Sequence, residues 1–338
     1  MRVYKPRNVR LAALGRCLPE RVVTNADLAA AGAALSAEEM QQLSGIVERR
    51  WAAPQESTSD LAARACREAL QRANTSEVDR LVLATVSPDH VSPSTACAVQ
   101  KLLELPPVPS FDVVAACSGF LFALDAAARA VETGDRAVLA VAAEVRSRFL
   151  DLKDRSTCAL FGDGAAAAVV TPGHGLLGIG LLSEGSGLES VYVPAGGARE
   201  PASEETVAKR RHFIHMKDGP AVYFQAVEGM RGVAEELLQA FGLTFAEVDL
   251  VVPHQANRRL VDRLGRLCGI PQEKVMSNIE RLGNTAGASV ALALEEALRT
   301  RRVKPGGKVL LVTAGAGYTA GAALLEVDEA LLAAAGAA

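Results

Sequence analysis

The chain has no run of about 18 apolar residues, so no transmembrane helix is expected. Its formal net charge is only −3, so it lacks the charge footprint of a nucleic-acid or polyanion binder. The cysteines Cys17, Cys66, Cys97, Cys117, Cys158 and Cys268 are scattered, with no C-x-x-C pair. That spacing argues against a zinc knuckle and against a disulfide framework, and no metal site is expected. The opening stretch "MRVYKPRNVRLAALGRCLPE" is basic but has no long apolar core, so a secretory leader is not expected. Two glycine-rich stretches, "GDGA" (162–165) and "GAGYTAG" (315–321), lack the lysine of a phosphate loop, and the second has one residue too many for G-x-G-x-x-G. They read as tight turns feeding strands, and no cofactor is expected. These absences point to a cytoplasmic protein in a reducing compartment, with neither a membrane nor a nucleic acid as partner.

What is present is apolar and alternating. Hydrophobic residues make up 49% of the 338, enough for a large core. Near-continuous apolar runs at 80–87, 110–117, 136–145, 165–171, 249–255, 274–279, 308–317 and 321–327 suit strands buried on both faces. Helical spacing of apolar residues marks 58–73 and 227–242. The alternation predicts an α/β fold. A weak repeat runs through it: "SEVDRLVL" from Ser76 against "AEVDLVVP" from Ala246, "SGFLFALDAAARAV" from Ser118 against "AGASVALALEEAL" from Ala286, "RAVLAVAA" from Arg136 against "KVLLVTAG" from Lys308. Three matches in one order predict two duplicated halves, 1–172 and 173–338, meeting near "TPGHG" (171–175). The stretch 183–220 reads as an insertion or long loop, and "LLAAAGAA" (331–338) as a frayed tail.

Polar groups at the ends of buried strands are where α/β sheets place their sites. Cys117 stands between a strand-like run and a helix-like run, and the matching place in the second half holds "LGNTAGAS" with Asn284. His254 ends the strand "VVPHQ". A lone cysteine, a strand-end histidine and a Gly-Asn-Thr turn are each, singly, ordinary structural features. Together they read differently. A helix N-terminus favours a thiolate. Histidine and asparagine can both donate a hydrogen bond while neutral, which suits a developing oxyanion or enolate. That set predicts acyl transfer through a thioester, followed by carbanion chemistry.

The segments "DVVAACSGFLFAL", "LFGDGAAAAVV", "VVPHQANRRL", "RLGNTAGASVALAL" and "GAGYTAGAALL" resemble the β-ketoacyl-acyl carrier protein synthase III family, in order from about residue 9 to residue 327. The resemblance implies the thiolase fold, a five-layered αβαβα homodimer. It implies that Cys117 takes an acyl group, that His254 and Asn284 assist decarboxylation of a malonyl-type thioester, and that backbone N–H groups of Cys117 and Ala316 form the oxyanion hole. It implies acyl carrier protein or acyl-CoA thioesters as partners. Ser92, Arg148, Asn257, Gly315 and Gly317 fall at substrate-binding positions. Arg258, Arg259, Arg263 and Arg266 offer a docking face for an acidic carrier protein, although a solvated helix face has the same look.

The departures from the family pattern are informative. Family members carry Trp-Ile-x-x-Arg-Thr-Gly-Ile, whose Trp and Arg clamp the adenine of coenzyme A. Here "EMQQLSGI" (39–46) puts Glu39 and Leu43 at those places, which favours a carrier protein over coenzyme A. Ser92 stands where acetyl-using relatives have a large Phe, leaving room for a longer acyl chain and pointing towards specialised metabolism. Two other readings compete: a relative of the same fold that passes the acyl group to an alcohol, amine or non-malonyl carbon, and a non-catalytic partner subunit. A scaffold has no chemical need for an intact Cys-His-Asn set.

Overall fold

A computed structural model describes residues 1–336. The apolar runs pair into two five-stranded sheets. The first has the spatial order Arg10–Cys17, Asp163–Thr171, Val138–Val145, Arg80–Ala84, Ser110–Val113. The second runs Val3–Tyr4, Leu176–Leu182, Thr319–Glu326, Lys308–Gly315, Leu250–Pro253. Corresponding strands pair alike. Arg80–Ala84 lies parallel to Val138–Val145, as Leu250–Pro253 lies parallel to Lys308–Gly315. Asp163–Thr171 returns antiparallel, as does Thr319–Glu326.

Strand alternation sorts the layers. In Val138–Val145, Val138, Ala140 and Ala142 face one cluster, while Leu139, Val141, Ala143 and Val145 face another. The first cluster is the middle of the molecule. It joins the inner faces of both sheets to the helices Gly119–Glu132 and Ser289–Arg299. The helix Thr58–Arg72 covers the outer face of the first sheet, and Gly219–Ala240 with Arg258–Leu267 covers that of the second. The result is five layers, αβαβα, as the family resemblance implied. The two middle helices are rich in alanine and bury most of their residues, which lets two sheets close over them.

Several expectations change. The run 274–279 is not a strand: only Val275 bridges to Val251, and the chain then turns into the short helix Ile279–Leu282. Asn278 and Ser277 turn their side chains to Glu296 and Glu280 instead of continuing a ladder. The stretch 183–220 is partly ordered, with a two-stranded ribbon of Val191–Tyr192 and His215–Met216 and a short helix Glu204–Ala208. The helix expected at 227–242 starts at Gly219, capped by Asp218 with Pro220 in its first turn, where a missing N–H costs nothing. The expected frayed tail holds a helix, Glu329–Ala334, with Leu331 and Leu332 buried; residues 337–338 lie outside the described residues. Among the described residues, no helix is long and apolar enough to cross a membrane.

Candidate active site

The strand Ser110–Val113 ends in a 3-10 turn, Ala116–Ser118, that carries Cys117 and runs directly into Gly119–Glu132. Ala116 sits at φ 47°, a left-handed conformation that costs a non-glycine residue of order 1 kcal/mol. The second half repeats this detail: Ala286 has φ 44°, in a 3-10 turn Ala286–Ala288 leading into Ser289–Arg299. The structural counterpart of Cys117 is therefore Gly287, three residues past Asn284.

The other sheet reaches the nucleophile turn through Gly315. A Cβ there would stand 2.8 Å from both the Cys117 nitrogen and Thr319 Oγ1, so only glycine lets the strand end approach so closely. Thr319 Oγ1 donates to the Ala115 carbonyl at 3.1 Å, and Ser118 Oγ donates to the Thr319 carbonyl at 3.2 Å. This brings the turn Ala316–Tyr318 beside Cys117. Gly317, at φ 72°, has open space where a side chain would be.

His254 follows the strand Leu250–Pro253 and is 2% exposed. Its N–H donates to the Val312 carbonyl at 2.8 Å. Burial pulls the imidazole down to about 3, so the ring is neutral. Nδ1 lies 2.6 Å from Ser289 Oγ, which also accepts weakly from the Gln255 N–H at 3.4 Å. The neutral ring carries a single N–H, which stands on Nε2 when the Ser289 O–H donates to Nδ1. Asn284 is pinned to the first half. Its N–H donates to the Leu160 carbonyl at 2.9 Å, and its carbonyl accepts from the Gly162 N–H at 3.0 Å. Its side-chain Oδ1 accepts from the Ala286 N–H at 2.8 Å, which turns the NH₂ outward as donor. Asn284 thus offers a neutral N–H, and His254 does so in the tautomer with its proton on Nε2.

The surroundings of Cys117 work against a thiolate. Burial, followed by the charge of Glu144, pushes the Cys117 thiol up to about 12, against the pull of Arg146 and its own N–H. These surroundings favour the thiol form of Cys117.

Other expected residues have structural employment. Asn257 Oδ1 accepts from the Leu260 N–H at 2.8 Å and caps the helix Arg258–Leu267. Arg148 donates to the carbonyls of Ala53, Pro54 and Glu56, pinning that loop. Ser92 lies in the exposed segment before Thr95–Leu102, next to Val91, which is 91% exposed. Of the four docking arginines, Arg258 is half-buried and paired with Asp262 and Glu280, so its charge is locally neutralised. Arg259, Arg263 and Arg266 are exposed. Glu39 pairs with Arg155 at 3.1 Å, and Arg155 also donates to the Ala34 carbonyl at 2.8 Å. Ser289, Glu144 and Arg146 escaped the sequence reading. The one signal for Ser289 is its place at the start of the duplicated helix, where the first half has Gly119.

Known proteins now give this geometry its family. Residues 111–185 match the family model described as 3-oxoacyl-[acyl-carrier-protein] synthase III, and residues 238–327 match its C-terminal model. The chain is 42% identical over 327 residues to the beta-ketoacyl-[acyl-carrier-protein] synthase III of Symbiobacterium thermophilum, covering 95% of this chain and 98% of that one. It superposes on the crystal structure of 3-oxoacyl-[acyl-carrier-protein] synthase III from Aquifex aeolicus with a TM-score of 0.85 at 39% identity, covering 94% of this chain and 100% of that one. It also superposes on a priming β-ketosynthase of a polyketide biosynthetic pathway, with a TM-score of 0.86 at 35% identity and coverage of 97% and 99%. The chain belongs to the β-ketoacyl-acyl carrier protein synthase III family, and it is a condensing acyltransferase of the thiolase fold.

Proposed function

We propose that Cys117 carries the acyl group, that His254 and Asn284 drive decarboxylation of a malonyl-type thioester, and that the enzyme works in the cytoplasm as a homodimer charged by an acyl carrier protein. In the first step the Cys117 sulfur bonds to the acyl carbon, and the donor's thiol leaves with the proton the cysteine gives up. In the second the malonyl group loses CO₂. Its enolate carbon then attacks the acyl carbon, and the Cys117 sulfur leaves and regains a proton. The N–H groups of Cys117 and Ala316 hold the carbonyl oxygen as it becomes an oxyanion.

The observation that carries this reading is the state of the two donors. His254 Nδ1 is engaged by Ser289 and Asn284 Oδ1 by the Ala286 N–H, so each side chain presents an N–H while neutral. Neutral donors stabilise an enolate without first having to lose or gain a proton.

Three features support the finer points. Glu39, at a position that clamps adenine in the family pattern, is tied to Arg155 in an exposed ion pair. A carboxylate engaged with an arginine offers no flat face for an adenine, whereas a carrier protein presents only its pantetheine arm. Arg259, Arg263 and Arg266 leave a basic face for an acidic carrier. The small Ser92 suits a bulkier acyl chain where two copies meet, in keeping with a priming role like that of the polyketide relative.

Intact-mass measurement after incubation with acyl thioesters tests the scheme. An acyl adduct is expected on the enzyme and absent from Cys117→Ala, formed faster from acyl carrier protein than from acyl-CoA. His254→Ala and Asn284→Ala should acylate normally but release CO₂ from malonyl donors about 10²–10³-fold more slowly. Normal decarboxylation by those variants would remove the role given to the pair. Equal charging by both donors would remove the preference for a carrier.

A further inference from the structure

Directly behind the nucleophile lies a carboxyl group that the reaction scheme does not use. Glu144, near the end of Val138–Val145, is fully buried. It accepts hydrogen bonds from Ser87 Oγ at 2.6 Å, from the Val86 N–H at 3.2 Å and from the Gly287 N–H. A Cβ on Gly287 would stand 3.1 Å from Glu144 Oε1 and equally 3.1 Å from the Ala116 carbonyl oxygen. The carboxylate therefore holds the turn Ala286–Ala288, and Gly287 of that turn packs on the Ala116 carbonyl of the turn carrying Cys117. Ser87 Oγ in turn accepts from the Val145 N–H at 2.9 Å, closing a ring of bonds around the group.

Packing alone does not call for a charge here. An amide would keep one acceptor oxygen for these donors and put an NH₂ in place of the other, and burying a carboxylate costs several kcal/mol unless a cation answers it. Arg146, two residues on and also buried, donates to the Val86 carbonyl at 2.8 Å, and its Nε has no hydrogen-bond partner. Among the described residues it makes no direct ion pair with Glu144. Asp163 faces Arg146 from the neighbouring strand, its own carboxylate held by the Ser147 N–H, Ser147 Oγ and the Ala52 N–H. Cys117, Arg146 and Asp163 are thus the ionisable groups gathered around this carboxyl.

We propose that Glu144 is a positioning residue for the nucleophile: its carboxylate bolts the turn before Ser289–Arg299 to the turn carrying Cys117, and its charge opposes ionisation of the Cys117 sulfur. Two shifts agree with that placement. Burial lifts Glu144 to about 7, against Arg146 and its hydrogen bonds, so its charge changes in the neutral range. The same charge is the second cause, after burial, of the high Cys117 value. The charge on Glu144 favours the thiol form of Cys117, and protonation of Glu144 eases that hold.

The inference rests on Cys117 being the nucleophile, but its test does not need an acyl donor. Alkylation by iodoacetamide, followed across pH by peptide mass mapping of the Cys117 fragment, reads the acidity of the sulfur directly and separates it from exposed Cys97. Glu144→Gln keeps an acceptor for the Gly287 N–H and removes the charge. Its alkylation profile should move down by about one pH unit, making Cys117 roughly tenfold more reactive at a given pH below its midpoint. A purely structural role would lower Tm and leave the profile where it was, and an unmoved profile overturns the proposal. Ser87→Ala is the second variant, should the first not fold. Losing the hydroxyl donor keeps Glu144 protonated to higher pH, so Cys117 alkylation should speed up in the same direction by a smaller factor, and no change would likewise overturn the proposal.

Discussion

His254 and Glu144 are both buried, yet burial moves their protons in opposite directions, because it disfavours whichever form is charged. His254 falls from about 6.5 to about 3. Between those values the unfolded chain binds a proton that the folded chain refuses, so this residue's stabilisation is present above about 6.5 and lost as the pH falls. Glu144 rises from about 4.5 to about 7. In that window the folded chain holds the extra proton, so its contribution is present at low pH and lost as the pH rises through 7. Between pH 5 and 7 each slope amounts to about 2 kcal/mol, with opposite sign, and the two nearly cancel. Replacing His254 by Gln should expose the Glu144 slope. The variant's urea unfolding free energy should fall by about 2 kcal/mol more than the parent's on going from pH 5 to pH 7. If the two proteins keep a constant difference across that range, His254 is not the neutral buried group described here.

Elements were legible in proportion to how local their signal is. The buried strands Arg80–Ala84, Val138–Val145 and Lys308–Gly315 announce themselves by unbroken apolar runs. Leu176–Leu182 was hidden because its glycines blur the pattern, although Gly178 packs on Phe241. Val275 shows the reverse case, an apolar stretch whose following polar side chains find partners that end the ladder. Cys117, His254 and Asn284 stand out in the sequence because strand ends, turns and the repeat draw attention to them. Ser289 and Glu144 could not, since a serine opening a helix and a glutamate in an apolar strand acquire meaning only from what crosses them in space. The crossing at Gly283 is the clearest case at this scale. It has φ 64°, and a Cβ there would stand 3.0 Å from both the Leu160 carbonyl and the fully buried Arg49 side chain. Gly283→Ala should cost about 1–3 kcal/mol by urea unfolding and slow decarboxylation by displacing Asn284, while Cys117 still accepts an acyl group. Unchanged stability and CO₂ release would show that this loop tolerates a side chain.

At the scale of the whole molecule the two sheets differ at one edge, and the difference has a consequence for assembly. In the second sheet the place next to Leu250–Pro253 is taken only by the single Val275 bridge, while Val3–Tyr4 covers the opposite edge. The first sheet keeps a full edge strand, Ser110–Val113, with one side unpaired among the described residues. Around it Phe111 is 39% exposed, Val114 77% and Val91 91%. An edge strand with large apolar side chains is a hazard for a monomer and a ready pairing surface for a second copy. A two-fold axis beside this edge would continue the sheet from one copy into the next. It would also set Ser92 near the partner and put the interface only a few residues from Cys117. Replacing Phe111 by Lys and Val114 by Asp should therefore convert a species of twice 35.3 kDa into one of 35.3 kDa by light scattering. The same pair of changes should slow acylation of Cys117 at least about tenfold by loosening the strand that leads into its turn. A parent protein that is monomeric and fully active would rule out this edge as the interface, and a dimeric, active double variant would place the interface elsewhere on the surface.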